Sequence, residues 1–350
     1  MSVRLVHRYL SLAVLAIWLV QAVTGTLNVF RWEVDEMTVA GPRLPVDWAA
    51  LGGSIDRLSQ QPRTQVTSVW TSGTSANRFD IHYAVGGRDR TLRVDGAGTP
   101  LRDRSDEGRI AGGAVWDTIT LIHTSLLAGH VGEWIIGLSG ILLLSNIVLG
   151  LKLAWPKAGT WRKTLFSKPA GGRHARYYGW HRKVGLWFAP IALVTIGGGV
   201  LMAFGDGVEA HLGAALPEPT ATAAAATRVG FAPAIATALR AFPGSHFAGV
   251  SLPDDETPWY RVRVRSRGEV ARKWGASLVY VAADDGRVLA RRDAAAASLG
   301  RTIIDDLYPL HTGQIGSWLG RSIVLLIGLA LIAMIVLGLA QWVTRRRPGG

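Results

Sequence analysis

Four stretches of the chain are long, apolar and free of formal charge: Leu10–Phe30, Trp134–Leu151, Val184–Phe204 and Ser322–Thr344. Roughly 20 helical residues cross a hydrocarbon core of about 30 Å, so each is expected to span a membrane. Lipid offers backbone N–H and C=O groups no partner, which confines such spans to helix. Arg4 and Arg8 precede the first run as they would in a secretory signal. However, no small-residue cleavage site follows Leu10–Val20, and the apolar run continues to Phe30, so it reads as a retained span.

The position of the charge orients the bundle. The 350 residues carry a net charge of +13. Arg4 and Arg8, the nine Lys and Arg residues of 152–183, and Arg345, Arg346 and Arg347 lie next to the spans with no acidic residue among them. The remainder of the chain is close to neutral. The whole excess therefore sits on one side, which the positive-inside rule makes cytoplasmic, and a nucleic-acid partner loses its support. Both termini are expected inside, and the segments of about 31–133 and 205–321 outside. The absence of cysteine excludes disulfides, thiolate zinc sites, cysteine-ligated iron–sulfur clusters and covalently attached c-type haem.

The chain repeats itself. At an offset of 188, His123-Thr124 falls on His311-Thr312, Gly140 on Gly328, and Ile147-Val148-Leu149-Gly150-Leu151 on Ile335-Val336-Leu337-Gly338-Leu339. At an offset of 174, His7-Arg8 falls on His181-Arg182, Gly25 on Gly199 and Phe30 on Phe204. The external segments also correspond. Asp47–Gln60 and Phe231–Ala241 read as short amphipathic helices. Alternating strand patterns follow at Gln65–Trp70, Arg78–Val85 and Arg90–Val94, and at His246–Leu252, Trp259–Arg265 and Ser277–Val281. Hairpin-like runs Leu92–Leu101 and Tyr280–Leu289 close each copy, with Gly98 and Gly286 suited to the turn. Pro217–Thr227 reads as a linker.

The expected fold is thus an internally duplicated α-helical membrane protein of four spans with two small α+β external domains. Its segments are 1–30 (cytoplasmic N-terminus and first span), 31–115 (first external domain), 116–151 (second span with an external extension) and 152–183 (basic cytoplasmic loop). They continue as 184–204 (third span), 205–302 (linker and second external domain), 303–344 (fourth span with an external extension) and 345–350 (basic tail).

With no cysteine, histidine is the main candidate for chemistry. His7 and His181 flank the cytoplasmic ends of spans one and three, while His123 and His311 begin helices that run into spans two and four. Imidazoles from different helices of one bundle suit bis-axial, non-covalent ligation of haem iron, His7 with His181 and His123 with His311. Gly25 and Gly199, with Gly132, Gly137, Gly140, Gly197 and Gly198, would let a flat macrocycle approach the backbone. His130 and His174 lie seven residues from His123 and His181, on the same helix face, as alternative ligands. A single interfacial histidine is otherwise only a polar group at headgroup level. His82, His211 and His246 read as solvated.

A helix from His123 to Lys152 would put the two sites some 30 Å or more apart, a gap to be shortened by porphyrin edges, by deeper ligation through His130, or by a relay such as Trp18, Trp134 or Trp187. Trp134 and Trp318 suit an interfacial aromatic belt. Arg321 and Glu133, equivalent in the repeat, could pair. Asp305 and Asp306 could support the His311 imidazole or simply favour a helix N-terminus.

His7-Arg8-Tyr9-Leu10 with Thr24-Gly25, Leu121-Ile122-His123-Thr124-Ser125-Leu126-Leu127, His181-Arg182-Lys183-Val184-Gly185-Leu186-Trp187, and Leu310-His311-Thr312-Gly313 with Trp342 and Arg345-Arg346-Arg347 carry a resemblance. In order and spacing the chain resembles the PepSY-associated transmembrane family, whose characterised members include bacterial inner-membrane ferric-siderophore reductases. Gly198-Gly199 stands where the first span has Thr24-Gly25.

The resemblance implies a membrane-embedded, b-type-haem-dependent oxidoreductase with two non-covalent haems on His7, His123, His181 and His311. Its PepSY domains would face a ferric siderophore in the periplasm. Electrons would come from a quinol or a separate cytoplasmic donor, because 152–183 is too short for a nicotinamide or flavin domain. Reduction would release Fe(II), and the chain would act as a monomer or homodimer. The competing expectations are a haem-free, membrane-anchored PepSY sensor or inhibitor, and a permease for the iron complex.

Overall fold

The computed structural model describes residues 2–106, 110–214, 216, 218, 219 and 229–346. Most of the expected linker Pro217–Thr227, and the tail from 347, lie outside the described residues. In chain order the elements are α1 (Val3–Asn28), α2 (Arg31–Met37), α3 (Trp48–Ser59), β1 (Thr64–Thr71), β2 (Arg78–Val85), β3 (Arg88–Asp95), β4 (Pro100–Ser105), α4 (Val115–Ser125), α5 (Gly129–Ala154) and α6 (Trp161–Phe166). They continue with α7 (Arg173–Ala203), α8 (Gly205–His211), α9 (Phe231–Ala241), β5 (His246–Ser251), β6 (Trp259–Arg265), β7 (Ser277–Ala282), β8 (Val288–Arg292), α10 (Leu299–His311) and α11 (Ser317–Arg346). Two compact units result: a helical one from Met1–Val29, Ile119–Val208 and Leu307–Gly350, and a sheet unit from Phe30–Thr118 and Glu209–Asp306.

In the helical unit, α1, α5, α7 and α11 are each long and apolar enough to cross a membrane, and the chain is a multi-pass membrane protein. Each packs on two neighbours, giving a closed ring in the order α1, α5, α7, α11. Small residues bring the backbones together. A Cβ on Gly140 of α5 would lie 2.6 Å from Val200 of α7, and one on Gly328 of α11 would lie 2.2 Å from Thr26 of α1.

Spans two and four were expected as unbroken helices running down from His123 and His311, and both are broken. The α4 helix ends at Ser125, Leu126 and Leu127 take φ of 49° and 61°, and α5 starts afresh at Gly129. Likewise α10 ends at His311, and Gly313 (φ 75°) leads to Ser317, where α11 begins. The breaks pack tightly. A Cβ on Gly132 would meet the Ser125 carbonyl at 1.6 Å, and one on Gly320 would meet that of Gly313 at 2.2 Å, so each span starts against the end of its own preceding helix.

The sheet unit departs from the expectation of two small domains. Among the described residues its eight strands form one antiparallel sheet in the order β4-β3-β2-β1-β5-β6-β7-β8. The join is β1 with β5, in register at Ser68/Ser251, Val69/Val250 and Trp70/Gly249. Pairing these edges satisfies two rows of backbone groups that separate domains would leave open. Gly249 is required there, since a Cβ would fall 2.2 Å from the Trp70 indole across the join. Asp47 caps α3 by accepting from Ala49 and Ala50 N–H. α3 and α9 cover one face, burying Leu51, Ile55 and Ile235 against Val69, Ile81 and Val262 in a single core.

Candidate functional site

The four histidines singled out by the repeats come together as two pairs in the helical unit. The His7 and His181 ring centres are 6.4 Å apart, and those of His123 and His311 6.1 Å. An imidazole nitrogen binds a metal at about 2 Å and lies about 1 Å from its ring centre, so two rings sharing one metal have centres about 6 Å apart. Each pair has that separation.

Every ring of the quartet lies against a glycine of a neighbouring helix. A Cβ on Gly150 would fall 3.0 Å from Cε1 of His7, and one on Gly338 would fall 3.4 Å from Cε1 of His181. The corresponding distances are 2.8 Å for Gly25 and His123, and 2.7 Å for Gly199 and His311. Gly25 and Gly199, expected to admit a macrocycle, thus seat the imidazoles themselves. The role of Gly150 and Gly338 was missed, although both sit in the repeated apolar string at an offset of 188.

The hydrogen bonds fix the tautomer. His7 Nδ1 lies 3.1 Å from the Asn146 carbonyl, His181 Nδ1 3.1 Å from that of Met334, and His311 Nδ1 2.7 Å from that of Thr195. A carbonyl only accepts, so Nδ1 carries the proton in all three. His123 Nδ1 is 3.1 Å from the Thr24 hydroxyl, whose own hydrogen goes to the Val20 carbonyl at 2.7 Å, so this ring donates too. Nε2 takes no part in these contacts, so it is the atom through which each ring, when neutral, could ligate a metal.

The pairs occupy opposite ends of the bundle. His7 and Gly25 are 18 residues apart on α1, as are His181 and Gly199 on α7, which corresponds to about 27 Å along either axis. The breaks after α4 and α10 bring the sites nearer than an unbroken helix would.

The alternative ligands stay outside both pairs. The exposed His130 bonds Glu133 on its own helix at 3.0 Å, and the exposed His174 lies 3.5 Å from the Thr344 hydroxyl. Glu133 is thereby engaged, while Arg321 donates to the Val29 carbonyl and stacks on Trp318, so the expected Arg321–Glu133 pair does not form. Asp305 is held by Arg292 and Arg301, and Asp306 by Arg272; the His311 Nδ1 partner is instead the Thr195 carbonyl. His82 Nδ1 meets Thr91 Oγ1 at 3.1 Å. Of the three tryptophans considered as relays, Trp18 is 4 % exposed, whereas Trp134 and Trp187 are about half exposed.

The sheet unit has its own cluster. Trp32 and Trp70 both pack edge-on against Trp274, and the Lys273 ammonium lies 4.7 Å from the Trp32 ring centre. Burial pushes Lys273 down to about 7. Lys273 donates to the Gly73 carbonyl and is covered by the indoles, so the cluster satisfies itself and the histidine pairs carry the site.

The family model of the PepSY-associated TM region matches residues 4–345. A search of curated proteins found no match.

Proposed function

The chain belongs to the family of the PepSY-associated TM region, and from that premise we propose that it is a haem-carrying oxidoreductase passing electrons across a bacterial inner membrane to a ferric siderophore outside. The observation that carries this reading is the pair of imidazole pairs. Four rings from four helices are held as Nδ1–H tautomers, seated on glycines, and spaced for one metal per pair.

The residues fit a b-type haem at each end. His7 and His181 would hold one, and His123 and His311 the other, with no covalent link. When bound, such a group supplies a one-electron couple whose potential is set by its ligands and their surroundings. The chain's own part is to fix ring orientation through the Asn146, Met334 and Thr195 carbonyls and the Thr24 hydroxyl, and to keep the site among apolar helices. One electron delivered to the substrate converts Fe(III) to Fe(II), which hard oxygen donors hold far more weakly, so the metal leaves the chelate.

The charge distribution supports termini and basic loop in the cytoplasm and the sheet unit in the periplasm. The offsets of 174 and 188, reproduced in the glycine seats, support descent of the chain from a duplicated half. The electron donor in this reading is a quinol or a separate cytoplasmic protein.

Purified protein in detergent, reconstituted with haem, is expected to show a Soret band and a pyridine-haemochrome count of two per chain. Replacing any one of His7, His123, His181 or His311 by Ala should reduce the count to about one and abolish ferric-chelate reduction. No haem uptake at all, or four silent alanine variants, would instead favour the membrane-anchored sensor.

A further inference from the structure

The two seams of the bundle that share the same plan differ in chemistry. Where α1 meets α5, the Asn146 amide donates to Ser11 Oγ at 2.9 Å, and the Trp18 indole N–H donates to the Ser139 carbonyl at 3.1 Å. Counted with the offsets of 174 and 188, these four positions become Met334, Gly185, Ala192 and Ile327 where α7 meets α11. One seam is polar and holds a large π-system, and its counterpart is aliphatic.

Trp18 is also aligned with both sites. It lies 11 residues after His7 and 7 before Gly25, the seat of His123. At 3.6 residues per turn, 11 and 18 residues are close to three and five whole turns. His7, Trp18 and Gly25 therefore stand within about 20° of one line along α1, with steps of about 16 Å and about 10 Å. On α7, His181, Ala192 and Gly199 repeat the same spacing with a methyl group in the middle. The Trp18 indole is 4 % exposed and tied by its N–H, so its orientation is fixed.

We propose that Trp18 is the bridge through which electrons pass between the two histidine ends, so that transfer runs along the α1/α5 seam and not along its counterpart. The proposal rests on the haem reading above. One electron leaves the group held at one end and one arrives at the other; the indole is neither oxidised nor reduced overall and serves as the medium that shortens the gap through aliphatic side chains.

The test uses the full-length, haem-loaded protein in sealed vesicles, with dithionite added on one side as the reductant. Half of the Soret absorbance should reduce quickly at the accessible end, and the other half more slowly through the bundle. In Trp18→Leu the slow phase should fall by about ten-fold, with haem count, midpoint potentials and the fast phase unchanged. Trp18→Phe, which keeps a ring without the N–H, should fall between, and it serves if the leucine variant does not fold. Trp134→Leu, at an exposed position, should behave as the unaltered protein. A slow phase of unaltered rate in a fully loaded Trp18 variant would overturn the bridge while leaving the haem reading intact. An unaltered protein that takes up no haem would overturn both.

Discussion

The two ends of the bundle solve the same problem with different tolerances. His7 and His181 sit inside continuous helices of 26 and 31 residues, and the glycines opposite them leave 3.0 and 3.4 Å to a would-be Cβ. His123 and His311 sit near the ends of helices of 11 and 13 residues, just before breaks in the chain, and their seats leave only 2.8 and 2.7 Å. A long helix orients its own side chains, whereas a ring carried on a short piece must be located by what it touches. The end next to the breaks therefore depends more on its seats.

The largest effect that sharpens this contrast is at those seats. Gly199→Ala and Gly25→Ala should displace the opposing ring and lower the haem count from two toward one per chain. Gly338→Ala, where the added methyl makes only ordinary contact, should leave it at two, and Gly150→Ala should fall between. Equal losses at all four positions would erase the distinction between the ends.

A smaller effect is expected at the one cap that is a side chain. Thr24→Val keeps the shape but removes the hydroxyl acceptor that faces His123 Nδ1–H, leaving the Gln21 backbone carbonyl. The imidazole becomes a poorer donor to a ferric centre, so a redox titration should show one of two midpoint potentials rising by tens of millivolts, with the other unmoved. Movement of both, or of neither, would mean that the hydroxyl does not act on that ring alone.

The smallest change should come from Asn146→Met, which installs the residue found at the equivalent position. His7 Nδ1 meets the Asn146 backbone carbonyl, which any residue supplies, and the Asn146 side chain adds only a smaller contact, so haem count should be unchanged and the potential should shift less than in Thr24→Val. Loss of haem here would show that the side-chain amide supports His7.

The spans and the histidine quartet were legible because they rest on length, charge and spacing. Arg78–Val85, Trp259–Arg265 and Phe231–Ala241 were read to the residue from alternation and amphipathicity. Other features depend on contacts between distant segments. Nothing in Thr64–Thr71 or His246–Ser251 announces that these two strands pair with each other. The break after Ser125 falls on Leu126 and Leu127, residues without any local turn signal. Asp305 and Asp306 sit one to two turns from His311 in sequence, yet arginines of the sheet unit claim both. Gly150 and Gly338 were visible as a repeated glycine, but only a neighbouring helix reveals what needs the space.

Each histidine pair draws one ring from the part of the chain up to α5 and one from the part that starts with α7, and the β1–β5 join does the same for the sheet across the loop between them. A polypeptide ending at that loop would own two lone imidazoles and an unpaired strand edge, and could complete either feature only by recruiting a second copy of itself. Carrying both parts in one chain makes assembly independent of how much protein the membrane contains. It also frees the two sides to diverge, which a self-paired dimer, with every position duplicated by symmetry, cannot do.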